Sequence, residues 1–343
     1  MKKQKNKVTF ERVNKVLRGE IPDRIPYIDY WYVNQQVIEH VLNRKLSTLG
    51  WFDDSISASD NFEFAEKIGM DVVTCDYIYR PNHVPGESET GDTFYAGGTI
   101  SSREDFEQNI DPPPTPESIE RKIKSYAEKR RNSNIGVVHT FTGVLDPAYL
   151  SMGMERFMVK LYDEPDLVKD MMDYFLKHAK RAMEIVCECS EVDIICINDD
   201  VCIGTGTIVS PKMMQELWKP RIEELIKLPK EKGKILTYHS DGKIEQLIPW
   251  LLEMGFSAIH PVEPYANDIY SLKKKWGDKI TLMGNIDITL LTFGNPDEIR
   301  KDVSKHIKEL GPTRYIVSSS NSIIQKIVPE NFLAMTNTVL DYT

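Results

Sequence analysis

Three of the seven histidines lie within short apolar stretches: His139, His239 and His260. An imidazole can act as a general acid or base near neutral pH, or as a metal ligand. In His239-Ser240-Asp241, an extended backbone would direct the imidazole and the carboxylate to the same side. We therefore predict that His239 and Asp241 share one site, while a hydrogen-bonded structural role stays open for His139 and His260.

Carboxylates follow other apolar stretches in the same way. Asp199 and Asp200 end one of them, and because adjacent strand side chains point to opposite faces, one of the two is available to cap the next helix instead. Imidazole nitrogen with carboxylate oxygens is a ligand set that zinc accepts. The predicted metal ligands are His239, Asp241 and Glu263, and these three with Asp199 are the predicted catalytic residues. The predicted substrate-binding residues are Tyr30, Trp31, His139, Asp200, His260, Asn285 and Asn321.

Eight short apolar stretches carry most of these side chains and alternate with helical patterns. Such stretches suit strands that are buried on both faces, as in a parallel sheet. Eight of them, alternating with helices, favour a barrel, in which catalytic groups lie at the C-terminal strand ends. The predicted strands are Arg24–Tyr30, Asp71–Tyr77, Gly136–Phe141, Asp193–Asp199, Lys234–Ser240, Ala258–Pro264, Ile280–Asp287 and Thr313–Ser320.

The connecting segments show helix signals. Glu164–Val186 has an apolar stripe, and Ser210-Pro211 and Asn295-Pro296 each place an N-cap residue before a first-turn proline. We expect extra helices within Trp31–Met70 and a hairpin within Arg80–Pro114. The predicted fold is an α/β (β/α)8 TIM barrel, one domain over residues 1–343, with an N-terminal helical extension and a hairpin insertion after the second strand.

The composition excludes several classes of protein. Lys and Arg number 43 against 52 Asp and Glu, a net charge of −9, which argues against nucleic-acid binding. No apolar run is long enough to span a bilayer. The five cysteines form no Cys-x-x-Cys motif, so we expect a reducing, cytoplasmic location without disulfides.

From about Asp193 to Met335, and more loosely before that, the chain resembles the uroporphyrinogen decarboxylase superfamily. That superfamily contains decarboxylases and corrinoid-dependent methyltransferases. The matching stretches are Asn198-Asp199-Asp200, Tyr238-His239-Ser240-Asp241-Gly242, Met283-Gly284-Asn285-Ile286-Asp287 and Pro329-Glu330-Asn331.

The resemblance also separates the branches of the superfamily. The decarboxylases carry an arginine-bearing loop after the first strand, because cations must hold a polycarboxylate substrate. Here that place reads Tyr30-Trp31-Tyr32-Val33-Asn34-Gln35-Gln36, with no arginine. Thiol-methylating relatives bind zinc through His-x-Cys and a later cysteine, where this chain has Asp241 and Asn321.

What the resemblance then implies is the methyl-donor side of a corrinoid system, an O-demethylase-type methyltransferase. It would move a methyl group from a small methoxylated or otherwise methylated substrate to the cobalt of a separate corrinoid protein. His239, Asp241 and Glu263 would stabilise the leaving group, directly or as zinc ligands, and Asp199 and Asn321 would orient the substrate. A homodimer is a further candidate assembly.

Two other functions stay open. A decarboxylase or lyase of the same superfamily, acting on a non-porphyrin acid, would be favoured if Arg24, Arg80 or Arg221 pointed into the cleft. The other is a non-catalytic, ligand-binding barrel.

Overall fold

The computed structural model of the chain describes residues 7–32, 34–46, 56–87 and 93–342. Parts of the predicted helical segment 31–70 and hairpin segment 80–114, and both ends of the predicted domain 1–343, therefore lie outside the described residues. The strands are β1 (Val72–Tyr77), β2 (His83–Glu87), β3 (Thr93–Gly98), β4 (Gly136–Thr142), β5 (Ile194–Asn198), β6 (Cys202–Ile203), β7 (Gly206–Thr207), β8 (Ile235–His239), β9 (Ala258–His260), β10 (Thr281–Met283) and β11 (Tyr315–Ile316).

Seven of these strands form one curved sheet in the order β1-β4-β5-β8-β9-β10-β11, with every neighbouring pair parallel. Two short antiparallel pairs, β2 with β3 and β6 with β7, follow β1 and β5. The strands alternate with helices that cover the outer face of the sheet. The predicted TIM-barrel-like α/β fold is confirmed.

The predicted first strand, Arg24–Tyr30, is reduced to one bridging position, where Tyr27 pairs in parallel with Val317. The Ile28 amide donates to the Val317 carbonyl (3.1 Å), and the Asp71 amide donates to the Tyr27 carbonyl (3.0 Å). The segment thus hydrogen-bonds to the chain on both edges of the sheet and joins them. Pro26, which has no N–H, limits the pairing to this short stretch.

The described helices are α1 (Phe10–Arg18), α2 (Gln35–Leu42), α3 (Ala58–Ile68), α4 (Arg103–Asn109), α5 (Pro116–Arg130), α6 (Leu145–Met152), α7 (Met154–Asp163), α8 (Pro165–Cys187), α9 (Pro211–Met213, continued by a π-helical turn over Met214–Trp218), α10 (Lys219–Leu225), α11 (Lys227–Glu231), α12 (Ile248–Met254), α13 (Ile269–Trp276), α14 (Ile288–Phe293), α15 (Pro296–Leu310) and α16 (Pro329–Asp341). The two predicted N-caps are confirmed, because the side chains of Ser210 and Asn295 accept first-turn N–H groups. Among the described residues, none of the helices combines the length and apolar character needed to cross a membrane.

Alternate residues of the strands fill the inside of the barrel. Val72, Val138, Ile194 and Ala258, which stand at or near the starts of their strands, pack there against α1. This helix contributes Val13, Val16 and Leu17 and covers the N-terminal end of the barrel. The opposite, C-terminal end stays available for polar side chains, and we call it the mouth.

Candidate active site at the C-terminal end of the barrel

The mouth is centred on His239, the last residue of β8. Its Nε2 lies 3.5 Å from Asp200 Oδ1 and 3.6 Å from Asp241 Oδ1. The Asp241 amide also donates to Asp200 Oδ1, over 3.0 Å. In the described part of the chain, these three residues are the group of acidic, histidine or cysteine side chains whose ligand atoms converge, all within 4.8 Å of one another. We call them the triad.

The charges of the triad are interdependent. Burial disfavours the imidazolium, but the hydrogen bond and charge of Asp200, with the charge of Asp241, outweigh it and raise the pKa of His239. Burial would also raise the pKa of Asp200, yet His239 and the nearby Arg80 lower it to about 2. Burial and the charge of Asp200 raise the pKa of Asp241 to about 7. The triad therefore favours a charged imidazole beside one firmly ionised carboxylate.

Of the arginines Arg24, Arg80 and Arg221, Arg80 alone lies at the mouth. Arg80 places Nε 3.0 Å from Asp146 Oδ2 and Nη2 3.4 Å from Asp200 Oδ2, so carboxylates of the protein already bind its guanidinium. Arg24 binds Asp71 at the opposite end of the barrel, and Arg221 binds Asp173 on the outer helices.

Glu263 stands beside the triad without joining it. Its Oε2 accepts the Gly242 amide (2.6 Å), and its Oε1 accepts the side-chain amide of Asn321 (3.3 Å). The same Asn321 nitrogen lies 3.2 Å from both oxygens of Asp241. The structure therefore groups Asp200 with His239 and Asp241, whereas both oxygens of Glu263 accept N–H donors beside that group.

An aromatic wall covers the imidazoles. The Trp31 ring meets the His239 ring edge-on at 4.6 Å, and its indole N–H reaches Asp76 (3.3 Å). The Tyr30 ring lies 4.9 Å from that of His260, but Tyr30 is buried, with its hydroxyl on Thr237 inside the barrel. Trp31 is thus half-buried beside His239 at the mouth, whereas Tyr30 packs beneath the mouth.

His260 lies directly behind His239. Its Nδ1 is 2.7 Å from His239 Nδ1, and its Nε2 is 3.0 Å from Ser318 Oγ. Burial and the charge of His239 lower its pKa well below the usual value. His260 therefore contacts the triad rather than the open mouth.

Asp199, predicted to be catalytic, is fully buried away from the triad. Its carboxylate accepts the amides of Val144 (3.1 Å) and Asp146 (2.6 Å) and the indole N–H of Trp218 (3.1 Å). A side chain at Gly143 would clash, since its Cβ would lie 2.2 Å from the Asp199 carboxyl carbon. Asp199 thus caps the start of α6, a helix that precedes it in the chain, and not the next helix that the sequence offered as the alternative.

Two predicted substrate-binding residues face away from the mouth. His139 alternates along β4 with Thr140, whose hydroxyl donates to the inward Asp76, so the His139 side chain lies on the helix side of the sheet. Asn285 binds the Val262 carbonyl (2.8 Å) and His306 Nε2 (2.9 Å) of helix α15. Neither side chain contacts the triad.

Two polar residues at the site were given no role from the sequence. Asp29 Oδ1 accepts the Ser318 hydroxyl (3.0 Å), which in turn meets His260. Both stand at ends of predicted strands, the only sequence signal that they carry. Nothing local indicates the contact, because 289 positions separate the two residues in the sequence.

Comparison with known proteins agrees with this architecture. The family model described as uroporphyrinogen decarboxylase (URO-D) matches residues 112–342, more than half of the chain. A methyltransferase from Methanosarcina mazei superposes with a TM-score of 0.73 at 16% identity, over 96% of this chain and 97% of that one. A B12-independent methionine synthase from Shewanella sp. W3-18-1, in complex with selenomethionine, superposes with a TM-score of 0.52 at 11% identity, over 92% and 93%. Curated protein sequences give no match.

Proposed function

Because the chain belongs to the uroporphyrinogen decarboxylase family, we propose that it is a methyltransferase of that family, which moves a methyl group from a small methoxylated molecule to the cobalt of a separate corrinoid protein. The observation that carries the proposal is the triad, with His239 Nε2 between the carboxylates of Asp200 and Asp241. The indole of Trp31 lies against the same imidazole and offers an apolar surface to a methoxylated ring.

The difficult part of such a transfer is the leaving group. When the bond between the methyl carbon and oxygen breaks, its electron pair stays on oxygen, and an alkoxide or phenolate is a poor leaving group. The two electrons of the new bond come from Co(I) of the partner, which becomes methyl-Co(III). The oxygen takes a proton from His239 Nε2, so the products are the free hydroxyl compound and the methylated corrinoid protein. The raised pKa of His239 supports its role as this acid.

The triad also fits a zinc ion. One imidazole nitrogen and two carboxylate oxygens are ligands that zinc accepts, and a cation would offset the burial and the repulsion from Asp200 that raise the pKa of Asp241. Asp200, His239 and Asp241 would hold the ion; His239 Nε2 would then be a ligand and not the acid, and the zinc would supply a Lewis acid for the leaving oxygen in its place. The cysteine thiols do not join this group, so the donor set differs from the thiolate-rich set of the thiol-methylating relatives.

The charge of the mouth argues against a polycarboxylate substrate. Asp146, Asp200, Asp241 and Glu263 stand together, and Arg80 is bound to two of them. A decarboxylase acting on a polyacid needs cations that are available to the substrate. Among the three arginines whose position would favour a lyase, Arg80 alone reaches the mouth.

The test is to mix the purified protein with a Co(I) corrinoid protein and a panel of methoxylated aromatic and aliphatic compounds. We expect one of them to yield methyl-Co(III), followed by its absorption spectrum, with release of the demethylated product. His239→Ala should lower the rate about 100-fold or more, the usual contribution of a general acid.

His178→Ala is the matched control, because His178 lies on α8, packed against Tyr174 and outside the mouth. An undiminished rate in His239→Ala would remove this residue from the mechanism. Transfer of the methyl group to a thiol without any corrinoid protein would refute the cobalt acceptor, and turnover of a carboxylic acid with release of CO2 would favour the lyase.

A further inference from the structure

A continuous chain of hydrogen bonds runs from the triad into the core of the barrel. His239 Nδ1 lies 2.7 Å from His260 Nδ1, and His260 Nε2 lies 3.0 Å from Ser318 Oγ. Ser318 Oγ lies 3.0 Å from Asp29 Oδ1, and all four residues are at most 5% exposed. Because these groups are shielded from solvent, protein neighbours decide where each proton of the chain resides.

The inner end of the chain is an acceptor. Besides the Ser318 hydroxyl, Asp29 Oδ1 accepts the backbone N–H of Ser319 (2.8 Å) and its hydroxyl (2.6 Å). The other oxygen, Oδ2, accepts the hydroxyl of Tyr27. Burial raises the pKa of Asp29, but both of its oxygens face donors, so the carboxylate is the acceptor and the single proton of the Ser318 hydroxyl points to Asp29.

Because the Ser318 hydroxyl donates to Asp29, the positions of the protons on His260 and His239 follow. The Ser318 oxygen, having donated its proton, accepts from His260 Nε2–H. A neutral imidazole carries one N–H, so His260 Nδ1 is bare and accepts from His239 Nδ1–H. His239 Nε2 then faces Asp200 and Asp241 as the atom that carries a proton in the charged ring and loses it when the ring becomes neutral.

We propose that Asp29 and Ser318 are positioning residues which, through His260, hold His239 in the tautomer protonated at Nδ1. The purpose of this arrangement rests on the proposed function: Nε2 is kept as the atom that gives up a proton or binds a metal ion. In the opposite tautomer of the neutral ring, Nε2 would carry the proton and offer no lone pair to a metal. The rings of Trp31 and Tyr30 pack against the imidazoles of His239 and His260, at 4.6 Å and 4.9 Å between centroids.

The first test is the wild-type protein itself, freed of metal by a chelator and labelled with 15N-histidine. At a pH where His239 is neutral, NMR spectra that correlate ring nitrogens with ring protons distinguish a protonated nitrogen from a bare one. Signals are assigned from single His→Gln variants. We expect protonated Nδ1 on His239 and protonated Nε2 on His260. The reverse pair of tautomers would overturn the proposal.

The second test removes one link. Ser318→Ala should leave His239 as a mixture of tautomers and weaken the affinity for zinc about 10- to 100-fold, the usual effect of losing a partner behind a ligating histidine. Ser318→Thr retains the hydroxyl and should restore both properties. Ser320→Ala is the matched control, because that buried hydroxyl binds the Ile288 amide, outside the chain.

A Ser318→Ala protein with a single, unchanged His239 tautomer would overturn the role of Ser318. The NMR result is independent of methyl transfer. Absence of turnover on any methylated substrate, together with the expected tautomers, would refute the proposed function and support the positioning role.

Discussion

The two ends of the barrel both contain clustered charges, but they balance them differently. At the N-terminal end, Arg12 binds Asp23 (2.7 Å) and Asp71, and Arg24 binds Asp71 (3.2 Å), so two guanidiniums face two carboxylates. At the mouth, Arg80 binds Asp146 and Asp200, while Asp241 and Glu263 add two further carboxylates and His239 is a further charged partner within the triad.

Charge balance therefore separates a structural cluster from a functional one more clearly than burial does. The N-terminal cluster satisfies its own charges and leaves nothing to offer a ligand. The mouth has more carboxylates than cations, and the charge of Asp200 adds to burial in raising the pKa of Asp241 to about 7. Such a shift is retained where a proton, a cation or a substrate has to be bound.

The largest expected effect comes from removing a carboxylate from the charge cluster at the N-terminal end of the barrel. Asp71→Ala leaves Arg12 and Arg24 buried without their shared partner, and it also removes the acceptor of the Thr9 amide (3.0 Å). Loss of one partner of a buried ion pair costs about 3–5 kcal/mol in the free energy of unfolding. Urea unfolding measures this.

The control for that measurement is Asp166→Ala, an exposed partner of Lys169, which should change little. Equal stability of the two variants would mean that the N-terminal cluster does not hold the barrel closed.

The second largest effect is expected from the binding of zinc at the mouth. If the triad binds zinc, the metal-free protein should gain about 2.7 kcal/mol of unfolding free energy at a zinc concentration 100 times its Kd. Thermal unfolding with and without zinc measures the gain, which should vanish in Asp241→Asn. The same gain in that variant would place the metal elsewhere.

The fold was largely predictable from the sequence, because buried parallel strands leave continuous apolar stretches that can be counted. The triad was predictable in part. His239 and Asp241 lie two residues apart at a strand end, so one imidazole and one carboxylate were expected on the same side. Asp200 was ambiguous, since β5 ends at Asn198 and the alternation of side chains does not extend into the loop that follows.

The features that could not be predicted depend on how distant parts of the chain pack together when the barrel closes. Asp29 and Ser318 meet only because the segment around Tyr27 joins the chain beyond β11 to the start of β1. The direction of His139 depends on which face of β4 lines the barrel, and a short apolar strand buried on both faces does not reveal this. Both facts emerge from packing and not from local pattern.

A smaller effect is expected from pH. The folded protein raises the pKa of Asp241 to about 7, above its unfolded value, so the folded state holds more protons between these values and stability falls as the pH rises through them. The Asp241→Asn variant has no carboxylate at this position, so its stability does not fall in this way as the pH rises. In metal-free protein the variant should be more stable than wild type at pH 8, on the order of 1 kcal/mol after allowance for solvent screening of a partly exposed side chain.

Urea unfolding of both proteins at several pH values measures this difference, which should shrink as the pH falls below about 7. A difference that grows towards acid pH would reverse the sign of the effect, and with it the view that the mouth carries excess negative charge.

The smallest effect compares the two faces of the sheet. His139 and His239 both lie on parallel strands, but His139 faces the helices, where burial lowers its pKa to about 3, and its Nδ1 binds the Thr140 carbonyl (3.0 Å). His139→Gln should cost about 1 kcal/mol of stability for that hydrogen bond and leave methyl transfer per folded molecule unchanged. His239→Gln, the same substitution on the inner face, should abolish transfer. The two rates and two unfolding curves form one experiment, and a loss of transfer in His139→Gln would show that the outer face of β4 contributes to the site after all.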